Sequence, residues 1–355
     1  MNPKKFCKCF FSFLCFCLII IGMLTVIVDP LFHYHGPLTN LAYQFRSGER
    51  YVNDGITKHW EYDAIITGTS MCENFKTSEF DALFDVVSIK VTFSGGRYKE
   101  VNDNLKVAFE KSANDIRIVV RGLDTQLLNV DKDEKREDAV YPYYLTNANP
   151  FDDVHYLFNK EIFLWETIQT CILTGSGYER KSFDSYANWM ANATFGKEFI
   201  LSNYSRIITI PSNEGLSDME KQRIRENIEQ NILNVVDNNP QCKFYFFFPP
   251  YNILWYDYEL RNGEFLKNYE AEKLAIEMLL PYENVYLFSW NDRFELTTDL
   301  DKYRDLTHYH QDINSQILVW MKDGDGLLNM DNYMDYLARC YKFYSTYDYD
   351  SIFVD

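Results

Sequence analysis

The feature that most constrains this chain is a set of short apolar runs that do not alternate with polar residues. They are Tyr62–Thr67, Val86–Phe93, Ile116–Val120, Cys242–Phe248 and Val285–Phe288. A strand that is apolar on both sides needs cover on both faces, which is the condition of a parallel strand inside an α/β sheet. Between the runs lie segments with helical spacing. Val101, Leu105, Ala108 and Phe109 share one face of Arg97–Lys111, and Ile224, Ile228, Ile232 and Val235 share one face of a later helix. Ser217 and Glu220 fit a capping box that opens that later helix. Further helices are expected at Met71–Leu83, Phe265–Leu280 and Asp312–Met321. Alternation of this kind predicts a three-layer α/β/α sandwich with a five-stranded parallel sheet.

A separate unit precedes the sheet. Lys4, Lys5 and Lys8 lead into an uncharged stretch that runs to Val28. Twenty residues at helical rise cover about 30 Å, the depth of a bilayer core. Positive charge on the N-terminal side keeps that end in the cytoplasm and exports the remainder. A cleaved signal peptide is the alternative. Val26-Ile27-Val28-Asp29-Pro30 lacks the small-residue cleavage pattern, which favours a single-pass signal anchor. The expected division is an anchor at 1–28, an aromatic connector at 29–61 and an α/β domain at 62–355, with an insertion at about 123–215.

The chain has 355 residues and a formal charge of −17, and the three lysines of the anchor leave about −20 on the rest. Such a surface disfavours nucleic acid and anionic membrane surfaces as partners. Of the eight cysteines, Cys7, Cys9, Cys15 and Cys17 read as apolar filling in the anchor. Cys72, Cys171, Cys242 and Cys340 show no CxxC metal spacing and read as mostly free and buried. Asn192-Ala193-Thr194 and Asn203-Tyr204-Ser205 fit glycosylation sequons, which matter only in a eukaryotic secretory route.

Candidate chemistry gathers where strands end. Ile65-Ile66-Thr67-Gly68-Thr69-Ser70-Met71 is an apolar run that stops at a small-residue turn, which holds the Ser70 hydroxyl at the C-terminal edge of the sheet. Asp305-Leu306-Thr307-His308 offers a base and a carboxylate to orient it. Gly95, after the second strand, allows close backbone approach and a second amide beside that of Ser70 for an oxyanion. His310 is a rival base. Asp305, His308 and His310 together could instead hold a metal, though no further ligand cluster accompanies them. His33 and His35 read as interfacial polar residues, and Arg97 and Arg121 as contacts to an anionic substrate or as internal ion pairs. Tyr141-Pro142-Tyr143-Tyr144 and Pro249-Pro250-Tyr251 read as loop packing or as platforms for sugar rings.

These residues resemble the SGNH, or GDSL-like, hydrolase superfamily. Gly68-Thr69-Ser70 stands where that family has Gly-Asp-Ser, Ser94-Gly95 matches its second block and Asp305-x-x-His308 its last. The resemblance implies a flavodoxin-like sheet, Ser70 as nucleophile, His308 as base, Asp305 as orienting acid, and no cofactor. The third block, Gly-x-Asn-Asp in the family, is Gly122-Leu123-Asp124-Thr125 here. An ionised Asp124 cannot donate to an oxyanion. Either Asp124 is protonated, or a neighbour such as Asn74 substitutes, or the hole is weaker. An anchor followed by such a domain is similar to the D-alanyl transfer proteins of lipoteichoic acid and to alginate-type O-acetyltransfer proteins. That implies acyl chemistry on a cell-envelope glycan or polymer, beside a multi-pass membrane acyltransferase. A binding or assembly protein of the same kind of pathway is the other expectation.

Overall fold

In the computed structural model, which describes residues 2–111, 116–208 and 211–354, the chain divides into two compact units. One contains residues 1–61 and 138–182, and the other residues 62–137 and 183–355. The 123–215 segment is therefore shared, with 138–182 in the first unit and its flanks in the second. Residues 209 and 210 of that segment lie outside the described residues.

The second unit is mixed α/β. Its strands are β1 (Ala64–Gly68), β2 (Ser88–Thr92), β3 (Ile118–Gly122), β4 (Lys243–Phe248), β5 (Val285–Ser289) and β6 (Leu327–Leu328). The order is β2-β1-β3-β4-β5-β6, with β1 to β5 parallel and β6 antiparallel to β5. The expectation of five parallel strands is corrected by β6. Two residues carry no periodicity, and Leu327 and Leu328 pair only because Gly326, at φ +80°, turns the chain back along β5. β1, β2 and β3 are buried along their whole length, as apolar runs without alternation require.

Helix Thr77–Phe84 packs with Gln311–Asp323, while Asp218–Ile228, Phe265–Leu279 and Tyr333–Thr346 form a second packed series that Tyr98–Lys111 joins through the π-helical turn Glu229–Leu233. The Ser217–Glu220 capping box is present on both sides: Ser217 Oγ accepts from the Glu220 amide, and Glu220 accepts from the Ser217 amide at 2.8 Å. The helix expected at Met71–Leu83 is replaced by a 3-10 turn, Ser70–Cys72, and a later helix from Thr77. The reason lies in β2. Lys90 is fully buried, and its Nζ donates to the Glu73 carbonyl at 2.5 Å and the Phe75 carbonyl at 2.9 Å. Carbonyls held by an ammonium group do not join a helical ladder.

The chain moves from β1 outward to β2, returns past β1 to β3, and then steps the other way through β4 and β5. That reversal leaves a crevice between the C-terminal ends of β1 and β3, where open α/β sheets place their ligands.

The first unit is helical. Pro3–Val28 has a mean hydropathy of 2.8 over its most apolar window, and is long and apolar enough to cross a membrane. It ends at Asp29, a buried residue at φ 43°. The Asp29 carboxylate accepts from the amides of His33, Tyr34 and His35 at 3.0, 2.7 and 2.8 Å, and from Tyr156 Oη at 2.7 Å. One carboxylate thus closes the helix end and the turn after it. His33 pairs with Asp153 at 3.2 Å, and His35 hydrogen-bonds the Gly36 and Val26 carbonyls. Helix Glu49–His59 packs on this turn through Gly55, where a Cβ would meet the Leu31 carbonyl oxygen at 2.2 Å.

Candidate active site

The turn that presents Ser70 depends on backbone that only glycine supplies cheaply. Gly68 has φ +137°, and a Cβ there would meet Cys72 Sγ at 2.7 Å. Thr69 then caps the 3-10 turn, and Ser70 stands just beyond the end of β1. Cys72, packed against Gly68 and Gly122, is buried, and burial pushes its thiol well up, which disqualifies it as a nucleophile.

Ser70 Oγ lies 2.8 Å from His308 Nε2. His308 Nδ1 lies 2.9 Å from both Asp305 carboxylate oxygens. Asp305 also accepts from the amides of Thr307 at 3.0 Å and His308 at 2.8 Å. Burial opposes its ionisation, but hydrogen bonding and charge from His308 and the two amides outweigh burial and hold its pKa at about 2. The carboxylate is therefore ionised at any ordinary pH. Residues 238 positions apart meet because the His308 loop is clamped: Asn252, fully buried, donates through Nδ2 to the Asp305 carbonyl at 2.6 Å, and Tyr303 Oη donates to the Pro250 carbonyl at 2.8 Å. The rival His310 instead caps helix Gln311–Asp323, pairs with Asp312 at 3.1 Å and packs on Phe195. Among the described residues no group of three or more His, Cys, Asp or Glu side chains is placed to hold a metal ion.

Asp124 follows β3, across the crevice from Ser70, and is buried. Its Oδ2 accepts from Thr69 Oγ1 at 2.7 Å and its Oδ1 from Tyr251 Oη at 2.5 Å. Tyr98 Oη donates to its carbonyl at 2.9 Å. Burial raises the Asp124 pKa against the lowering pull of the Tyr251 and Thr69 hydrogen bonds. Both oxygens are thus engaged as acceptors, one of them by the residue that precedes Ser70. Asn74 is also buried, and its Oδ1 accepts from the Trp189 amide at 3.3 Å. With the oxygen turned that way, the carboxamide hydrogens are its remaining donors. Gly95 has φ +58°, and a Cβ there would meet Arg136 Nη1 at 2.6 Å. It occupies the loop after β2, the strand paired with β1.

Of the two arginines, Arg97 takes the internal ion-pair reading and Arg121 departs from both. Arg97 pairs with Glu134 at 2.8 Å. Arg121 forms no ion pair among the described residues: it is buried within β3, donates through Nη1 to the Asn231 carbonyl at 2.8 Å and lies 5.1 Å from the Tyr98 ring centre. Burial lowers its pKa to about 10. A strand buried on both faces leaves an arginine no route to solvent.

Sequence reasoning missed three contributors. Trp189 packs edge-on against the His308 ring at 5.4 Å, and Arg304 lies over Trp189 at 5.2 Å with its Nε 3.7 Å from Asp305 Oδ2. Tyr251, read from the sequence as loop packing or a platform for sugar rings, instead donates to Asp124 Oδ1. Beside Asp305 a groove of about 260 Å³ is lined by Asn203, Tyr204, Tyr258, Arg304 and Leu306. Chemically the constellation provides a hydroxyl, a base in contact with it, and a carboxylate fixed on the far side of the base.

No protein-family model matches this chain, and no curated protein matches it. Among solved structures it is similar to "The structure of a putative platelet activating factor from Streptococcus pneumonia", with 11% identity, a TM-score of 0.38, and coverage of 81% of this chain and 91% of that one. At that distance the functional assignment rests on the geometry of the site alone.

Proposed function

We propose that this protein is a serine esterase or O-acyltransferase of the SGNH type, anchored by Pro3–Val28 and working outside the cytoplasm on acyl esters of a cell-envelope glycan or polymer. The observation that carries the proposal is the continuous contact Ser70 Oγ–His308 Nε2 and His308 Nδ1–Asp305, at 2.8 and 2.9 Å. His308 takes the Ser70 proton as Oγ attacks the acyl carbonyl, and Asp305 stabilises the imidazolium and fixes its tautomer. The tetrahedral oxyanion is met by the Ser70 amide, the Gly95 amide and the Asn74 carboxamide, in the place of the block-three asparagine. His308 then returns its proton to the leaving alcohol. Water or a glycan hydroxyl, deprotonated by the same histidine, releases the acyl group. The sheet order and the two groups of helices support a three-layer sandwich of that superfamily. A multi-pass membrane acyltransferase is the partner that would supply acyl groups.

A second reading has one observation in its favour. Asp124 replaces a donor with a side chain whose two oxygens are already spent, and losing one oxyanion donor costs about 3 kcal/mol in a working site. A catalytically degenerate protein that binds or assembles an envelope polymer would tolerate that loss.

Fluorophosphonate labelling of the full chain separates the two. Labelling of wild type that disappears in Ser70→Ala and in His308→Ala is the expected result. A folded wild type that takes no label removes the hydrolase reading and leaves the binding one.

A further inference from the structure

The first unit contains a helical stretch whose sides are reversed relative to a water-soluble helix. It consists of a π-helical segment, Ile162–Ile168, continued by the α-helix Gln169–Gly175. Its buried positions include Glu166, Thr167 and Thr170, at 8%, 0% and 4% exposure. Its outward positions are Leu164, Trp165 and Ile172, at 41%, 63% and 54%, together with exposed Cys171. The spacing 164, 165, 168, 171, 172 is one helical face, and it is apolar throughout.

Glu166 and the Thr170–Thr174 turn of the polar face find partners within the unit, while the buried Thr167 hydroxyl has none among the described residues. Ser47 Oγ donates to Glu166 Oε1 at 2.8 Å, Thr174 Oγ1 donates to the Thr170 carbonyl at 2.7 Å, and the Ala42 amide donates to Thr174 Oγ1 at 2.9 Å. The bonds from Ser47 and Ala42 tie this side of the helix to the rest of the unit, so the apolar face is held outward rather than merely left there.

The neighbour of this stretch is the membrane-spanning helix. Ile162–Ile168 packs along Pro3–Val28, and just before it Phe158 lies 3.7 Å from where a Cβ on Gly22 would stand. The outward face is therefore continuous with the exposed side of that helix near its C-terminal end, where Met23 and Ile27 are open. Charges bound the stretch on both sides, Lys160 and Glu161 before it and Glu179, Arg180 and Lys181 after it. Fourteen residues rise at most about 21 Å, short of the roughly 30 Å of a hydrocarbon core. The stretch is too short to cross and has the wrong face outward for water.

We propose that the helical stretch 162–175 lies at the membrane interface beside the spanning helix, with Leu164, Trp165, Ile168, Cys171 and Ile172 immersed in lipid acyl chains. The proposal rests on Pro3–Val28 being membrane-spanning. Lipid is the occupant because the face extends a surface that lipid already covers. A side chain such as Trp165 suits that depth, with an apolar ring and a polar N–H at the edge. The first unit is then a two-point membrane mount, which limits rotation about the anchor.

The test uses the full chain reconstituted in phosphatidylcholine vesicles whose acyl chains are brominated. Tryptophan emission is compared between wild type and Trp165→Phe, a substitution on an exposed side chain that leaves packing intact. The expected result is a bromolipid-quenched component in wild type that is lost in Trp165→Phe. Carbonate extraction of the same vesicles reads the spanning helix separately. Protein that resists extraction while its Trp165 emission is unquenched overturns the interfacial helix and keeps the anchor. Protein that is extracted overturns both. Quenching that is lost as the protein-to-lipid ratio rises assigns the face to a protein partner or a second copy, and overturns the lipid assignment.

Discussion

The sheet unit and the helical first unit solve opposite problems with similar residues. In β1, Ile65 and Ile66 are fully buried and the polar Thr69 and Ser70 follow at the strand end, so polarity moves outward to the crevice. In the 162–175 helix, Leu164 and Trp165 face out while Glu166 and Thr167 are buried. Hydrophobicity alone therefore does not say which side of an element is inside. The available hydrogen-bond partners decide it. Asn252 and Asp124 collect polar groups beneath the sheet's edge, whereas Ser47 and Ala42 draw polar groups inward in the first unit.

The comparison can be broken most sharply at the crevice. Ser70→Ala should lower ester turnover by roughly 10⁴-fold or more while leaving the melting temperature unchanged, because it removes one oxygen at the strand end. Turnover of p-nitrophenyl acetate and a thermal melt on the same preparation check both halves. A melt that falls with activity would show that the serine holds the fold instead of the chemistry.

Next in size, Ile65→Ala should destabilise the sheet unit by about 2–5 kcal/mol, since it opens a cavity in a close-packed strand. Asp124→Ala should cost about 1–3 kcal/mol by stranding the buried Thr69 and Tyr251 hydroxyls. Asp124→Asn should cost less, because the amide keeps one acceptor. Denaturant titrations in detergent order the three. If Asp124→Ala equals wild type in both stability and turnover, the Thr69–Asp124–Tyr251 chain does not position the nucleophile.

A pH series tests the Asp305–His308 pair. The Asp305 pKa falls from the ordinary 3.8 to about 2 on folding. Its contribution to stability is therefore complete above about pH 4 and is lost as pH falls toward 2. Wild type and Asp305→Asn should differ in melting temperature at pH 5 and converge near pH 2. The side chain is 44% exposed, so solvent screening keeps the difference small. The smallest effect is expected at the reversed helix: Leu164→Gln should change stability in detergent by less than about 0.5 kcal/mol. A larger loss in detergent would mean that the face is packed against protein.

Ser70 and His308 were legible in the chain because each follows a pattern confined to a few neighbours. Ser70 follows an apolar run that ends in glycine, and His308 follows an aspartate three residues back. Arg121 was misleading for the complementary reason. It follows a run that reads as a buried strand, and its partner, the Asn231 carbonyl, lies 110 residues away, where no local pattern points. Trp189 belongs to a stretch with no periodicity, so nothing local directs it to the His308 ring. β6 is too short to leave a pattern at all.

By itself the sequence determined an N-terminal helix long and apolar enough to cross a membrane, the run of parallel strands, the Ser217 cap and the local patterns that single out Ser70, Asp305 and His308. All of these depend on interactions within one turn, one strand or one loop. Only the tertiary structure decided that the Ser70 hydroxyl and the His308 ring come within hydrogen-bond distance, that Asp124 accepts from Thr69 and Tyr251 instead of donating, and that the 162–175 helix turns its apolar face outward. Those outcomes are set by which distant hydrogen-bond partner is brought within about 3 Å, and that distance is a property of the folded chain.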